Sequence, residues 1–131
     1  MQRTVLIVED SQQHASTLEI ALQQIPDLAI ETVYSGEAAI DFLQGPQGAR
    51  VCAVLTDLQM PRVDGFELIE RVRSNPKTGE LPIIVLSGAT DPAAPERTYE
   101  LGANAFFAKP YSPSAVRSKL EQLLDGGDRK T

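Results

Sequence analysis

Five short apolar runs cross this chain, each closing on polar residues and each followed by a segment of helical periodicity. They are Val5 to Val8, Leu28 to Tyr34, Val51 to Leu55, Leu81 to Leu86 and Asn104 to Ala108. Such runs are too short for globular helices, and their β-branched residues suit strands buried on both faces. Strands alternating with helices imply one parallel sheet covered by helices on both sides, joined by right-handed crossovers. The expected fold class is therefore α/β, a five-stranded (βα)5 domain.

Size and charge narrow the function. The chain has 131 residues, 42% of them hydrophobic, enough for one domain with a real core. Its net charge is −6 and its twelve Lys and Arg are scattered, which argues against direct contact with nucleic acid. Cys52 is the only cysteine, so there is no internal disulfide and no zinc spacing. No apolar run approaches the ~18 residues of a membrane helix, and the first run is too short for a signal peptide. A cytoplasmic protein without membrane contact is expected.

In chain order, Val5 to Val8 ends in Glu9-Asp10-Ser11, where Ser11 or Asp10 can cap a helix. Ala15, Leu18, Leu22 and Ile25 form its buried stripe before Pro26; His14 lies off that stripe and reads as a solvated helix residue. After the second strand, Ser35 caps a short helix, and Gly45-Pro46-Gln47-Gly48 is a turn. The central strand ends at Asp57, before Met60-Pro61. Asp64 with Glu67 resembles a capping box; Leu68, Ile69 and Val72 should face the sheet, and Arg71 and Arg73 water. The fourth strand ends in Ser87-Gly88-Ala89, and a helix from about Pro95 to Leu101 stops at Gly102. The fifth strand ends at Lys109-Pro110, and Ser112-Pro113 opens the last helix, with Val116, Leu120, Leu123 and Leu124 as its stripe. The expected division is a domain over residues 1–125 and a flexible tail over 126–131.

Ligands of open α/β sheets bind outside the carboxyl ends of the strands. Glu9-Asp10, Asp57, Ser87 and Lys109 all fall there. Carboxylates crowded together raise one another's pKa unless a cation neutralises them. Lys109 supplies one charge, and an all-oxygen site favours Mg²⁺ as a second. A hydroxyl and an ammonium opposite the metal suit the oxygens of a phosphoryl group, with Asp57 as nucleophile. Each residue alone also has a structural reading: Glu9-Asp10 as charge at a helix start, Asp57 and Ser87 as turn residues, Lys109 as a surface lysine. Four functional types on four strand ends make the chemical reading the stronger one.

The series Glu9-Asp10, Asp57-x-x-Met60-Pro61, Asp64-Gly65, Ser87 and Lys109-Pro110 resembles the receiver domain of two-component response regulators, over about Thr4 to Leu124. The resemblance implies a flavodoxin-like fold and a phosphorelay switch, not a classical enzyme, that assists its own phosphorylation and autodephosphorylation. By that likeness Asp57 accepts the phosphoryl group from a sensor histidine kinase or histidine phosphotransfer protein. Asp10 and Asp57 ligate Mg²⁺ directly, Glu9 through water, and the backbone carbonyl of Gln59 completes the protein ligands. Ser87 and Lys109 bind phosphoryl oxygens, and the bond before Pro110 is cis.

Switching follows from the same likeness. Phosphorylation adds charge of about −1.5 to −2; Ser87 moves toward it, and Phe106, the switch aromatic, turns into the space behind. Phe107 points to the opposite face by strand alternation. The output surface would be the fourth helix, fifth strand and fifth helix, with Tyr99 and Tyr111. A downstream protein or a fused effector domain reads it, and a homodimer through the same face is open. Glu9 stands where Asp is commoner and Phe106 where many members carry Tyr. Gln59 and Ala89 should tune dephosphorylation, Gln59 by reaching over the phosphoryl group and Ala89 by offering water no polar help. The rival reading is a receiver-fold binding module that works without phosphorylation. Absence of Asp at position 59 speaks against an aspartyl-phosphate hydrolase, and absence of a Ser/Thr-rich loop after the first strand against a flavodoxin. Met1 favours a stand-alone receiver.

Overall fold

The computed structural model describes residues 2–88 and 91–128. Five strands, β1 (Arg3–Val8), β2 (Leu28–Val33), β3 (Val51–Asp57), β4 (Ile83–Ser87) and β5 (Ala105–Ala108), form one sheet in the order β2-β1-β3-β4-β5. Every pairing is parallel. The crossovers carry α1 (Gln12–Leu22), α2 (Gly36–Gln44), α3 (Gly65–Ser74) and α4 (Ala94–Leu101), and α5 (Pro113–Asp128) follows β5. This is the flavodoxin-like arrangement.

Strand alternation divides the core. Leu6, Val54 and Val85 face Ala39 of α2, Leu68, Ile69 and Val72 of α3, and Ala94 of α4. Val5, Ile7, Ala53, Leu55, Ile84 and Leu86 face Leu18 and Leu22 of α1 and Val116 and Leu120 of α5. Most of these side chains are fully buried, each worth roughly 1.5–3 kcal/mol against exposure. The central strands therefore have no freedom to slip, and their carboxyl ends stay level.

The helix starts follow the expected chemistry. The Ser11 hydroxyl accepts from the His14 N–H and the Ser35 hydroxyl from the Ala38 N–H. Asp64 accepts from the Glu67 N–H at 2.9 Å, but the Glu67 carboxylate pairs with Arg71 instead of returning to Asp64, so only half a capping box forms. α1 ends at Leu22, and Ile25 is buried from the turn beyond it. α5 runs to Asp128, past the position expected for the start of the tail. Residues 129–131 lie outside the described residues.

Arg73 corrects the reading of α3. Its side chain is only partly in water: Nε and Nη2 donate to the Gly102 carbonyl at 3.1 and 2.7 Å, Nη1 donates to the Gly79 carbonyl, and Nη2 donates to Asn104 Oδ1. Its long side chain lets the guanidinium reach the neighbouring turns from the last turn of α3. Gly102, at φ 113°, ends α4 against this guanidinium.

Candidate functional site

Register brings the site together. Val8 pairs with Thr56 and Asp57 with Leu86, so the end of β3 lies between the ends of β1 and β4. Ser87 pairs with Ala108, which delivers Lys109 to the same edge. Beneath this edge, Gly65 packs directly on the backbone after β3: a Cβ there would lie 2.4 Å from the Asp57 carbonyl oxygen. Its N–H donates to the Leu58 carbonyl at 3.0 Å. Only glycine permits that approach, and it sets the path of the Asp57 loop.

Asp57 is buried; its Oδ1 accepts from the Gln59 N–H at 3.1 Å and its Oδ2 from Lys109 Nζ at 3.0 Å. Glu9 is buried too, accepting from the Ser11 N–H at Oε2 and from Lys109 Nζ at Oε1, 3.0 Å away. One ammonium thus bridges two buried carboxylates. Burial pushes the Glu9 carboxyl above its ordinary range, against the opposing hydrogen bond from Lys109. Burial works to lower the Lys109 ammonium, but its hydrogen bonds to Asp57 and Glu9 prevail and its pKa is raised. Lys109 is a cation here at any neutral pH.

Asp10 is exposed at the mouth. Glu9, Asp10 and Asp57 each offer an oxygen, and the three atoms lie within 4.8 Å of one another. Three carboxylates against one ammonium leave two negative charges, and a set of carboxylate oxygens suits a hard divalent cation. The donors present fit Mg²⁺.

Ser87 is fully buried at the end of β4, and its carbonyl accepts from the Lys109 N–H at 2.7 Å. Phe106 packs partly buried on the α2–α3–α4 face, and Phe107 on the α1–α5 face. Gln59 is exposed beside Asp57. The Lys109–Pro110 peptide bond is cis. Tyr99 is half-exposed on α4; Tyr111 is half-buried, and burial raises its phenol. Ala89 lies outside the described residues. The sequence reading missed one neighbour: His14, taken as a solvated helix residue, is exposed but places Nδ1 3.3 Å from Lys109 Nζ. Its place one turn beyond Asp10 was the available signal.

An open parallel sheet with a lysine-bridged acidic pocket at its carboxyl edge defines the class: a flavodoxin-like α/β domain with an acidic site where its strands end. The chain belongs to the response regulator receiver domain family, whose sequence model matches residues 5–121. It is 31% identical to a probable chemotaxis protein CheY of Rhizobium etli, covering 92% of this chain and 91% of that one. It is 33% identical to a probable cyclic di-GMP phosphodiesterase of Vibrio cholerae, covering 94% of this chain but 27% of that protein. The chain thus spans about a quarter of that relative's length. Among solved structures it superposes on the signal receiver domain of a signal transduction histidine kinase from Syntrophus aciditrophicus, with TM-score 0.86 and 31% identity, covering 98% of this chain and 95% of that one. The response regulator Rcp1, 26% identical with TM-score 0.76 over 95% of this chain, has been solved in a Mn²⁺-bound form. Among the described residues no helix is long and apolar enough to cross a membrane.

Proposed function

We propose that Asp57 accepts a phosphoryl group from a phosphohistidine on a sensor kinase or phosphotransfer protein, and that the charged product changes the α4–β5–α5 face for a downstream partner. A carboxylate oxygen of Asp57 attacks phosphorus, the P–O bond forms as the P–N bond breaks, and the departing imidazole keeps the electron pair and takes a proton. The observation that carries this reading is the Lys109 ammonium, 3.0 Å from both Asp57 and Glu9 at the mouth of the acidic pocket. It is poised for charge that develops on the transferring oxygens.

Asp10, Asp57 and the Gln59 carbonyl would hold Mg²⁺ directly, and Glu9 would help through water. A bound Mg²⁺ supplies the positive charge that the three carboxylates lack. The Ser87 hydroxyl and Lys109 take the phosphoryl oxygens; Phe106 turns as Ser87 moves, and Tyr99 and Tyr111 give the face its aromatic contacts.

The test is intact mass after exposure to acetyl phosphate, with and without Mg²⁺, for wild type and Asp57→Asn. One phosphoryl gain that needs both Mg²⁺ and Asp57 is the expected result. No gain from folded wild type with Mg²⁺ would leave a binding module that acts without phosphorylation.

A further inference from the structure

Lys109 has a third neighbour that the phosphoacceptor reading does not use. Nδ1 of His14, in the first turn of α1, lies 3.3 Å from Lys109 Nζ, beside the 3.0 Å contacts to Glu9 and Asp57. An ammonium has three protons and accepts no hydrogen bond. In this contact Nδ1 of His14 is the acceptor, which the tautomer with its proton on Nε2 permits.

The helix turn that carries His14 is tied to the site through its backbone. Ser11 joins His14 to the site, its hydroxyl accepting from the His14 N–H while its own N–H donates to Glu9 Oε2. Across the gap, His14 and Lys109 share the wall of a crevice of about 350 Å³ with Pro110 and Tyr111. The contact thus ties the start of α1 to the connection between β5 and α5.

We propose that His14 is a positioning residue for phosphoryl transfer: its imidazole takes the third ammonium proton of Lys109 and holds that ammonium at the Asp57 carboxylate. The chemistry it serves rests on the phosphoacceptor reading above. Lysine is a compact charge on a flexible four-carbon stem, and its contact with Asp57 must reorganise when Asp57 is phosphorylated. His14 takes no part in the bond changes, so it keeps one proton of the ammonium fixed while the others move to the phosphoryl oxygens.

The experiment compares wild type with His14→Leu, which keeps bulk and removes the acceptor, and His14→Gln, which offers an amide oxygen. Two quantities are read at saturating Mg²⁺ or without it: phosphoryl uptake from phosphoramidate by intact mass, and the NMR signal of the Lys109 ammonium in unphosphorylated protein. His14→Leu should slow uptake about three- to tenfold, with His14→Gln within about twofold of wild type. The Lys109 signal should be sharp in wild type and His14→Gln and broadened by water exchange in His14→Leu. A Lys109 signal indifferent to His14 overturns the proposal, as does wild-type uptake by His14→Leu. Should wild type take up no phosphate while the signal still depends on His14, the phosphoacceptor reading fails and the contact stands.

Discussion

Two partly buried cations sit at opposite edges of one sheet and are satisfied in opposite ways. At the carboxyl edge, Lys109 is held by side chains: two carboxylates and an imidazole. At the other edge, Arg73 is held mainly by backbone, the carbonyls of Gly79 and Gly102, with the Asn104 side chain as its remaining partner. Asn104 Oδ1 in turn accepts from the Ile83 N–H at the start of β4. Burial lowers the Arg73 pKa, but guanidinium stays charged at any neutral pH. Backbone carbonyls are neutral acceptors that neither titrate nor react, so Arg73 ties the ends of α3 and α4 to the starts of β4 and β5 at any pH. Carboxylates change charge when they react, so the partners of Lys109 are replaceable. On the proposed phosphoacceptor reading, the kind of partner, more than the depth of burial, separates the two edges.

The sharpest way to break the contrast is to remove one group from each edge. Asp57→Asn should abolish phosphoryl uptake while leaving stability in urea within about 1 kcal/mol of wild type, since it removes one of three crowded like charges. Loss of several kcal/mol would mean that the carboxyl edge also holds the fold together. Arg73→Ala should do the reverse, costing about 1–3 kcal/mol because partly buried carbonyls lose their donors, with phosphoryl uptake by the folded fraction retained. Equal stability of Arg73→Ala and wild type would refute that tie.

Smaller changes sharpen the picture within each edge. Gln59→Ala should alter the half-life of phosphorylated protein several-fold, roughly 1 kcal/mol in the barrier, without preventing phosphorylation. An unchanged half-life removes Gln59 from the control of water. The smallest effect is expected two residues before Arg73. Arg71 pairs with Glu67 at 2.6 Å, yet both side chains are largely in water, so Arg71→Ala should cost only about 0.3–0.5 kcal/mol. A cost matching that of Arg73→Ala would show that partner type is irrelevant on this helix.

Legibility followed the same division. Glu9, Asp10, Asp57, Ser87 and Lys109 were readable because each ends an apolar run, and parallel strands put all such ends on one side. The starts of α1, α2 and α3 were readable from Ser11, Ser35 and Asp64, since capping is chemistry between residues two or three apart. Arg73 was misread, and the Lys109 contact of the exposed His14 was missed, for one reason. Periodicity assigns a helix residue to a face, and neither residue makes its contact across that face. Arg73 reaches residues 29 and 31 positions away, and His14 one 95 positions away.

Local pattern and strand polarity alone fix the alternation of strands and helices, the caps, and which polar side chains end the strands at the carboxyl edge. Only the tertiary structure decided that one ammonium bridges Glu9 and Asp57, that His14 joins it, and that Arg73 closes the far edge. Those contacts depend on register and helix placement, which the buried side chains of the whole core set together.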